Sequence, residues 1–187
     1  NMPMDVLLGK PPKMHRDVKH VDRKLEPVAL DGVELAKVLP EVFRHPTVAS
    51  KSFLITIGDR AVGGLTHRDQ MVGPWQVPVS DVAVTALSFL SNKGEAMAIG
   101  ERSPIAVINA PASCRMAFAE AITNIAAADI ELPTVKFSAN WMASCGSEGE
   151  DAKLYDAVKA TSEFCIALGV SIPVGKDSCS MKTGWET

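Results

Sequence analysis

The chain has 187 residues, 47% of them hydrophobic and 22% charged, and its net charge is −3. This length fits one domain, or one domain with an appendage, and the composition excludes disordered, collagen-like and small disulfide-rich proteins. The slight acidity argues against nucleic-acid and anionic-membrane partners, because both attractions need a local basic excess. No apolar run approaches the roughly 18 residues needed to span a bilayer, and no signal peptide is visible. The start at Asn1 suggests a piece of a longer protein.

The first half of the chain predicts short elements. Residues 1–28 form an irregular arm, because prolines interrupt them and their basic run has no apolar period. The following segments predict a helix capped by Asp31 at 29–44, strands at 52–57 and 79–89, a short helix at 95–101 and a buried strand at 104–110.

The second half alternates more regularly. An alanine-rich helix is predicted over 113–128, after Pro111, and an amphipathic helix over 151–168, ended by Gly169. Strands are predicted at 134–138 and 170–174. With four or five strands and three or four helices, the pattern favours an α+β or α/β sandwich with helices on one sheet face.

The four cysteines, at positions 114, 145, 165 and 179, form no CxxC pair and have no nearby histidine. A zinc site would need two close ligand pairs, and a catalytic cysteine would need a base that nothing local supplies. We therefore expect four reduced thiols in a cytosolic protein.

Glu120 and Asn124 are the polar pair of the alanine-rich helix, and their i,i+4 spacing places them on one face. Magnesium prefers oxygen ligands, commonly one or two carboxylates together with phosphate and water. Asp81 would be a third ligand if its strand runs beside this helix. The alternative is a polar stripe that meets solvent, since such pairs are common.

Three further segments could contact a phosphate. Loop 58–78 combines glycines with arginines but matches neither a P-loop nor a dinucleotide fingerprint, so structural turns and one surface ion pair explain it equally well. Lys51 could approach a phosphate as a point charge, or be merely solvated. The glycine, lysine and serine of 173–178 follow a predicted strand, where ligands collect, but turn chemistry also explains them.

Five motifs nevertheless resemble one family in the order in which they occur. They are IGDRAVGGLTHRDQMVGPWQVPVSDVAVT (57–85), GEAMAIGER (94–102), EAITNIAA (120–127), KFSANWMASCGSEGEDAKLYDAVKA (136–160) and IPVGKDSCSMKT (172–183). Together with MDVLLGKPPKM (4–14), they resemble phosphoribosylformylglycinamidine synthases, the formylglycinamide ribonucleotide amidotransferases of purine biosynthesis. Selenophosphate synthetases and thiamine-phosphate kinases share the fold, but the segments NWMASCGSEGED and PVGKDSCSM point away from them.

The resemblance implies an α+β fold like the amino-terminal subdomain of aminoimidazole ribonucleotide synthetase, a mixed sheet with helices on one face. That subdomain would occupy 29–174, between the arm at 1–28 and the start of a connection at 175–187. It would belong to the second of two synthetase-like units that precede a glutaminase domain. The implied enzyme is a cytoplasmic, glutamine-dependent ATP ligase.

Carried over by position, the resemblance implies magnesium ligation by Asp81, Glu120 and Asn124. Ser80 and Lys51 would lie near a nucleotide, so Mg²⁺ and ATP or ADP are the implied cofactors. The bound nucleotide would be auxiliary, with turnover in the other half of the parent enzyme. The glutaminase triad is absent, so none of the four cysteines is that nucleophile, and we expect this chain alone to be inactive.

The implied partners are the first synthetase unit, the glutaminase domain and a small-molecule nucleotide. Subdomains of this type pair through their sheets, so we also expect this chain alone to form a two-fold homodimer. The alternative is a monomer in which the arm folds back over the surface.

Overall fold

Helices α4 (Ala110–Ile125) and α5 (Glu150–Leu168) pack against each other at the centre of the computed structural model, which describes residues 1–10, 13 and 15–186. The cap of α4 is Asn109, whose side chain accepts a hydrogen bond from the Ala112 N–H at 2.8 Å. Gly169 ends α5 in the left-handed region, at φ +70°, where glycine has no β-carbon to strain the backbone. The structure confirms both long predicted helices, shifted by no more than three residues at either end.

The described residues contain four strands, which form two separate two-stranded sheets. Strands β1 (Val82–Ala86) and β2 (Gly94–Ala98) form an antiparallel hairpin in which Val82 pairs with Ala98. Strands β3 (Lys136–Met142) and β4 (Ser171–Ser178) run parallel and are connected through α5. The predicted α+β class is confirmed, but the strands form two separate two-stranded sheets where one mixed sheet was expected.

Three short predictions were wrong. Segment 52–57, predicted as a strand, contains helix α3 (Ser52–Thr56). Segment 95–101, predicted as a helix, overlaps β2, and segment 104–110, predicted as a strand, overlaps a 3₁₀ helix (Ser103–Val107). Such short apolar runs have too few residues for their period to distinguish helix from strand. Pairing with β1 is what makes residues 94–98 extended.

The N-terminal region contains two helices, α1 (Met4–Leu8) and α2 (Leu35–Arg44). The first lies in the arm that was predicted to be irregular. The second begins after Glu34, so Asp31 is not its cap, and it continues through Pro40. Of the predicted arm, Pro11, Pro12 and Met14 lie outside the described residues, as does Thr187 of the predicted connection.

The arm lies along the start of α5. Arg16 Nη1 is 2.9 Å from Asp151 Oδ1, His20 Nε2 is 2.8 Å from Asp156 Oδ2, and Arg23 Nη2 donates to the Glu148 oxygen at 3.0 Å. Between these polar contacts, a β-carbon on Gly149 would lie only 3.2 Å from Val21 Cβ. The absence of a side chain at Gly149 thus allows the arm to approach.

The buried core is small and rich in alanine. It lies mainly on α5 and the strands beside it, where the buried residues are Ala139, Ala152, Ala157, Ala160, Thr161, Cys165 and Val170. The accessible surface of 15245 Å² far exceeds the about 8,700 Å² expected for a compact monomer of this mass. Much apolar surface therefore faces solvent, including Leu90, which is 99% exposed.

Among the described residues, no helix is both long enough and apolar enough to cross a membrane.

Candidate functional site

Helix α4 holds the segment that follows β2, residues 99–102, through three polar side chains. Asn124 Nδ2 donates to the Ile99 oxygen at 3.1 Å, and Glu120 Oε2 accepts from the Glu101 N–H at 2.9 Å. About two turns closer to the start of the helix, Ser113 Oγ donates to the Arg102 oxygen at 2.6 Å. The 99–102 segment thus runs antiparallel to α4, with backbone groups satisfied at both of its ends.

Gly100 makes this close approach possible. A β-carbon at this position would overlap the Ala117 oxygen and lie 2.6 Å from the Ala121 nitrogen. Ala117 and Ala121 are themselves small, so helix and segment meet backbone to backbone. Gly100 lies within the GEAMAIGER motif, but no local pattern marked it as a contact residue.

Glu120 is half-buried and forms an ion pair, with Arg102 Nη1 2.8 Å from its Oε2. Both of its described partners, this guanidinium and the Glu101 N–H, contact the same oxygen. Oε1 therefore accepts no hydrogen bond within residues 1–10, 13 and 15–186. The bond from Asn124 to Ile99 likewise leaves its Oδ1 unused, because the amide nitrogen is the atom that donates.

Asp81 lies immediately before the last pair of the hairpin ladder. Val82 pairs with Ala98, so Asp81 and Ile99 are the next residues outward on the two strands, and Ile99 carries the carbonyl that Asn124 binds. Asp81 is exposed. The preceding residue, Ser80, is held by two backbone carbonyls: its N–H donates to the Gln70 oxygen at 2.7 Å and its hydroxyl donates to the Val82 oxygen at 3.0 Å.

The donor chemistry of this group fits magnesium. Two carboxylates and one amide oxygen are hard ligands of the kind that Mg²⁺ takes from proteins. Within the part of the chain that the structure describes, no group of three or more His, Cys, Asp or Glu residues could hold a metal ion. A metal at this place would therefore depend on Asn124 and on ligands such as phosphate or water.

Lys51 contacts its own segment. Its Nζ donates to the Pro46 oxygen and, at 2.7 Å, to the Ala49 oxygen. These bonds satisfy two of the three donors of the ammonium group.

Loop 58–78 consists of turns and contains one ion pair. This is the structural interpretation that the sequence left open beside phosphate binding. Arg60 Nη2 is 2.8 Å from Asp69 Oδ1. The Met71 N–H, followed by Arg60, lowers the pKa of the Asp69 carboxyl against the opposing effect of desolvation. The loop also extends the hairpin, because Thr66 pairs with Thr85 of β1.

A cleft of about 780 Å³ lies between α4, β3 and the 99–102 segment. Its lining is mostly apolar and includes Met97, Phe118, Trp141 and Leu154. Asp81, Glu120 and Asn124 are not among its lining residues. No local sequence pattern indicated this cleft, because its walls are far apart along the chain.

Comparison with protein-family models shows that residues 50–187 match the family described as the FGAR-AT PurM_N-like domain. The match includes the hairpin, both long helices and all the predicted site residues. The arm and α2 precede it.

Proposed function

Because the chain belongs to the FGAR-AT PurM_N-like domain family, we propose that it supplies part of an auxiliary magnesium–nucleotide site in an ATP-dependent ligase. The ligase would convert formylglycinamide ribonucleotide, glutamine and ATP into formylglycinamidine ribonucleotide. The family supports the ligase and its place in purine biosynthesis.

The main support for the nucleotide site is that Glu120 and Asn124 are both anchored on one short segment. Both side chains bind the backbone of residues 99–102, and Asp81 directly precedes Val82, whose partner Ala98 leads into that segment. Side chains held in this way lose little further freedom on binding an ion, so the site is partly preorganised.

In this proposal Asp81, Glu120 and Asn124 hold Mg²⁺, and Ser80 and Lys51 lie near ATP or ADP. The ion would offset the charge of the nucleotide phosphates. Glu120 would offer Oε1 while Oε2 keeps its contacts with Arg102 and the Glu101 N–H. Lys51 would exchange its backbone carbonyl partners for a phosphate.

We assign turnover to other domains of the parent enzyme. The chain would contribute nucleotide binding and a packing surface for the first synthetase unit and the glutaminase domain. The purified chain should then show neither synthetase nor glutaminase activity, and turnover of formylglycinamide ribonucleotide with ammonia and ATP would contradict this assignment.

One alternative is that the chain is a purely structural nucleotide-binding module, whose role is assembly. The large exposed apolar surface of the chain supports this alternative. A related ATP-dependent synthetase or kinase of the same fold is the other alternative. Removing the nucleotide from the assembled enzyme separates a structural role from catalysis: loss of assembly favours the module, and loss of rate alone favours the ligase site.

Calorimetric titration of the chain with ADP in the presence and absence of Mg²⁺ tests the site directly. Asp81→Asn and Glu120→Gln should each weaken magnesium-dependent binding by on the order of tenfold or more, because a neutral amide replaces a metal-binding carboxylate. Asp129→Asn is the matched control, since Asp129 is an exposed carboxylate just beyond the same helix. Equal affinities in all three variants, or no binding by the unsubstituted 187-residue chain, would reject the site.

A further inference from the structure

Cys145 and Cys179 lie opposite each other just beyond the paired strands β3 and β4. Ser144 and Ser180 form an antiparallel bridge there, and the two cysteines are the next residues on its two sides. The Cys145 N–H donates to the Cys179 oxygen at 2.9 Å. Residues directly opposite in antiparallel pairs have Cα atoms roughly 4.5–5.5 Å apart, within the roughly 4.4–6.8 Å that a disulfide spans.

The two side chains also meet. The Cys179 thiol donates a hydrogen bond to Asp177 Oδ2 at 2.9 Å. This bond, followed by contact with the Cys145 thiol, raises the pKa of Cys179 to about 12. Both cysteines are half-buried, so a small oxidant can reach them. By contrast, Cys165 is fully buried.

We propose that Cys145 and Cys179 form a reversible disulfide when the protein meets hydrogen peroxide. In the first step the Cys145 sulfur attacks the peroxide, its O–O bond breaks, and the products are a sulfenic acid and water. In the second step the Cys179 sulfur attacks the sulfenic sulfur while the Cys179 proton passes to the sulfenic hydroxyl, so the S–S bond forms, the S–O bond breaks and a second water leaves. The two thiols together lose two electrons and two protons, and the peroxide is reduced.

Cys145 is assigned the first step because Cys179 is held in its thiol form by Asp177, and the thiolate is the nucleophile in thiol oxidation. Cys179 then acts as the resolving thiol, already placed against its partner. A dithiol would return on exchange with a small thiol.

The bond would join two points on either side of α5. It would close a loop that contains the whole of α5 and β4, and such a cross-link restricts the unfolded chain. It would also fix Cys145 beside Gly146, whose N–H donates to Asp151, the carboxylate that binds Arg16 of the arm. Oxidation would thus stabilise the surface on which the arm lies.

Peptide mapping identifies the bond without ambiguity, because trypsin places each cysteine in a different peptide. Cleavage after lysine and arginine puts Cys145 in residues 137–153 and Cys179 in residues 177–182, whereas Cys114 and Cys165 fall in 103–115 and 160–176. After treatment of the 187-residue chain with hydrogen peroxide, two of its four thiols should be lost. Peptides 137–153 and 177–182 should appear linked, and dithiothreitol should restore all four thiols.

Substitutions test the assignment of each step. Cys179→Ser should prevent the linkage and leave Cys145 as a sulfenic acid that dimedone traps. Cys114→Ser is the matched control and should form the disulfide as the parent chain does. Four thiols persisting after peroxide, a linkage that involves peptide 103–115 or 160–176, or a bond between two chains would overturn the proposal. Absence of a dimedone adduct at Cys145 would overturn the order of the steps.

Discussion

Gly100 contacts the backbone of α4 at Ala117 so closely that a β-carbon would overlap the Ala117 carbonyl oxygen. This contact positions the backbone groups that Glu120 and Asn124 bind. The geometry of the candidate magnesium site therefore depends on a residue that contributes no side chain to it.

Gly100→Ala should destabilise the chain by roughly 1–3 kcal/mol, the usual cost of overpacking, because the 99–102 segment must move away from α4. Urea unfolding followed by circular dichroism measures the free energy of unfolding. Gly58→Ala is the matched control, since no atom outside its chain neighbours lies within 4 Å of a β-carbon there. Equal stability of the two variants would show that the segment is not packed on the helix.

The stability that Asp151 contributes should decrease as the pH is lowered. The Gly146 N–H, followed by Arg16, lowers the pKa of Asp151 in the folded chain. A carboxyl with a depressed folded pKa stabilises the fold above its unfolded pKa of about 3.9, and this stability is lost as pH falls through the folded value.

Urea midpoints of the parent chain and of Asp151→Asn should therefore differ at pH 7 and converge towards pH 3. Asp31→Asn replaces an exposed carboxylate that forms no ion pair with the described residues, and it should show a smaller difference at pH 7. A difference between the parent chain and Asp151→Asn that is constant from pH 7 to pH 3 would contradict the assigned cause.

The arm should be released when its arginines are removed. Arg16 and Arg23 bind residues of the loop that precedes α5 and of its first turn. We expect the double variant Arg16→Ala, Arg23→Ala to be cleaved by trypsin at Lys19 and Lys24 several times faster than the parent chain, because proteases need a locally opened segment.

Raised salt should also accelerate cleavage of the parent chain, since exposed ion pairs are screened. Arg44→Ala removes an arginine whose ion pair, with Glu41, lies within α2, and it should leave cleavage of the arm unchanged. Slow cleavage of the double variant would mean that other contacts hold the arm.

The chain should form a homodimer through the hairpin. The sequence predicted strands at 52–57 and 79–89 that could pair between two copies, but the first segment is helical, and β1 is flanked by both β2 and Thr66. The exposed apolar side chains of the hairpin, Leu87, Phe89, Leu90, Met97 and Ile99, provide the surface instead.

Sedimentation at tens of micromolar should give twice the chain mass of 19.9 kDa. Met97→Lys should shift the equilibrium towards the monomer, because a charge in an apolar interface must be desolvated, whereas Glu95→Lys changes an exposed position of the same strand and serves as the control. A mass near 19.9 kDa for the parent chain would refute the dimer. It would favour a monomer with the arm folded back, the arrangement that the contacts of Arg16 and His20 support.

The sequence alone determined the two long helices, the α+β class and the family. Helices α4 and α5 have local start and stop signals, Pro111 and Gly169, and enough turns for a 3.6-residue period to show. The i,i+4 spacing of Glu120 and Asn124 is likewise local, which is why their common face could be predicted.

Only the tertiary structure decided the elements and contacts that depend on distant partners. Residues 94–98 are extended because β1 supplies their hydrogen bonds, and Gly100 matters because α4 lies against it. The opposition of Cys145 and Cys179 comes from strands joined through the whole length of α5. Local pattern reports how a segment can fold, whereas pairing and close approach depend on which other segments the chain brings beside it.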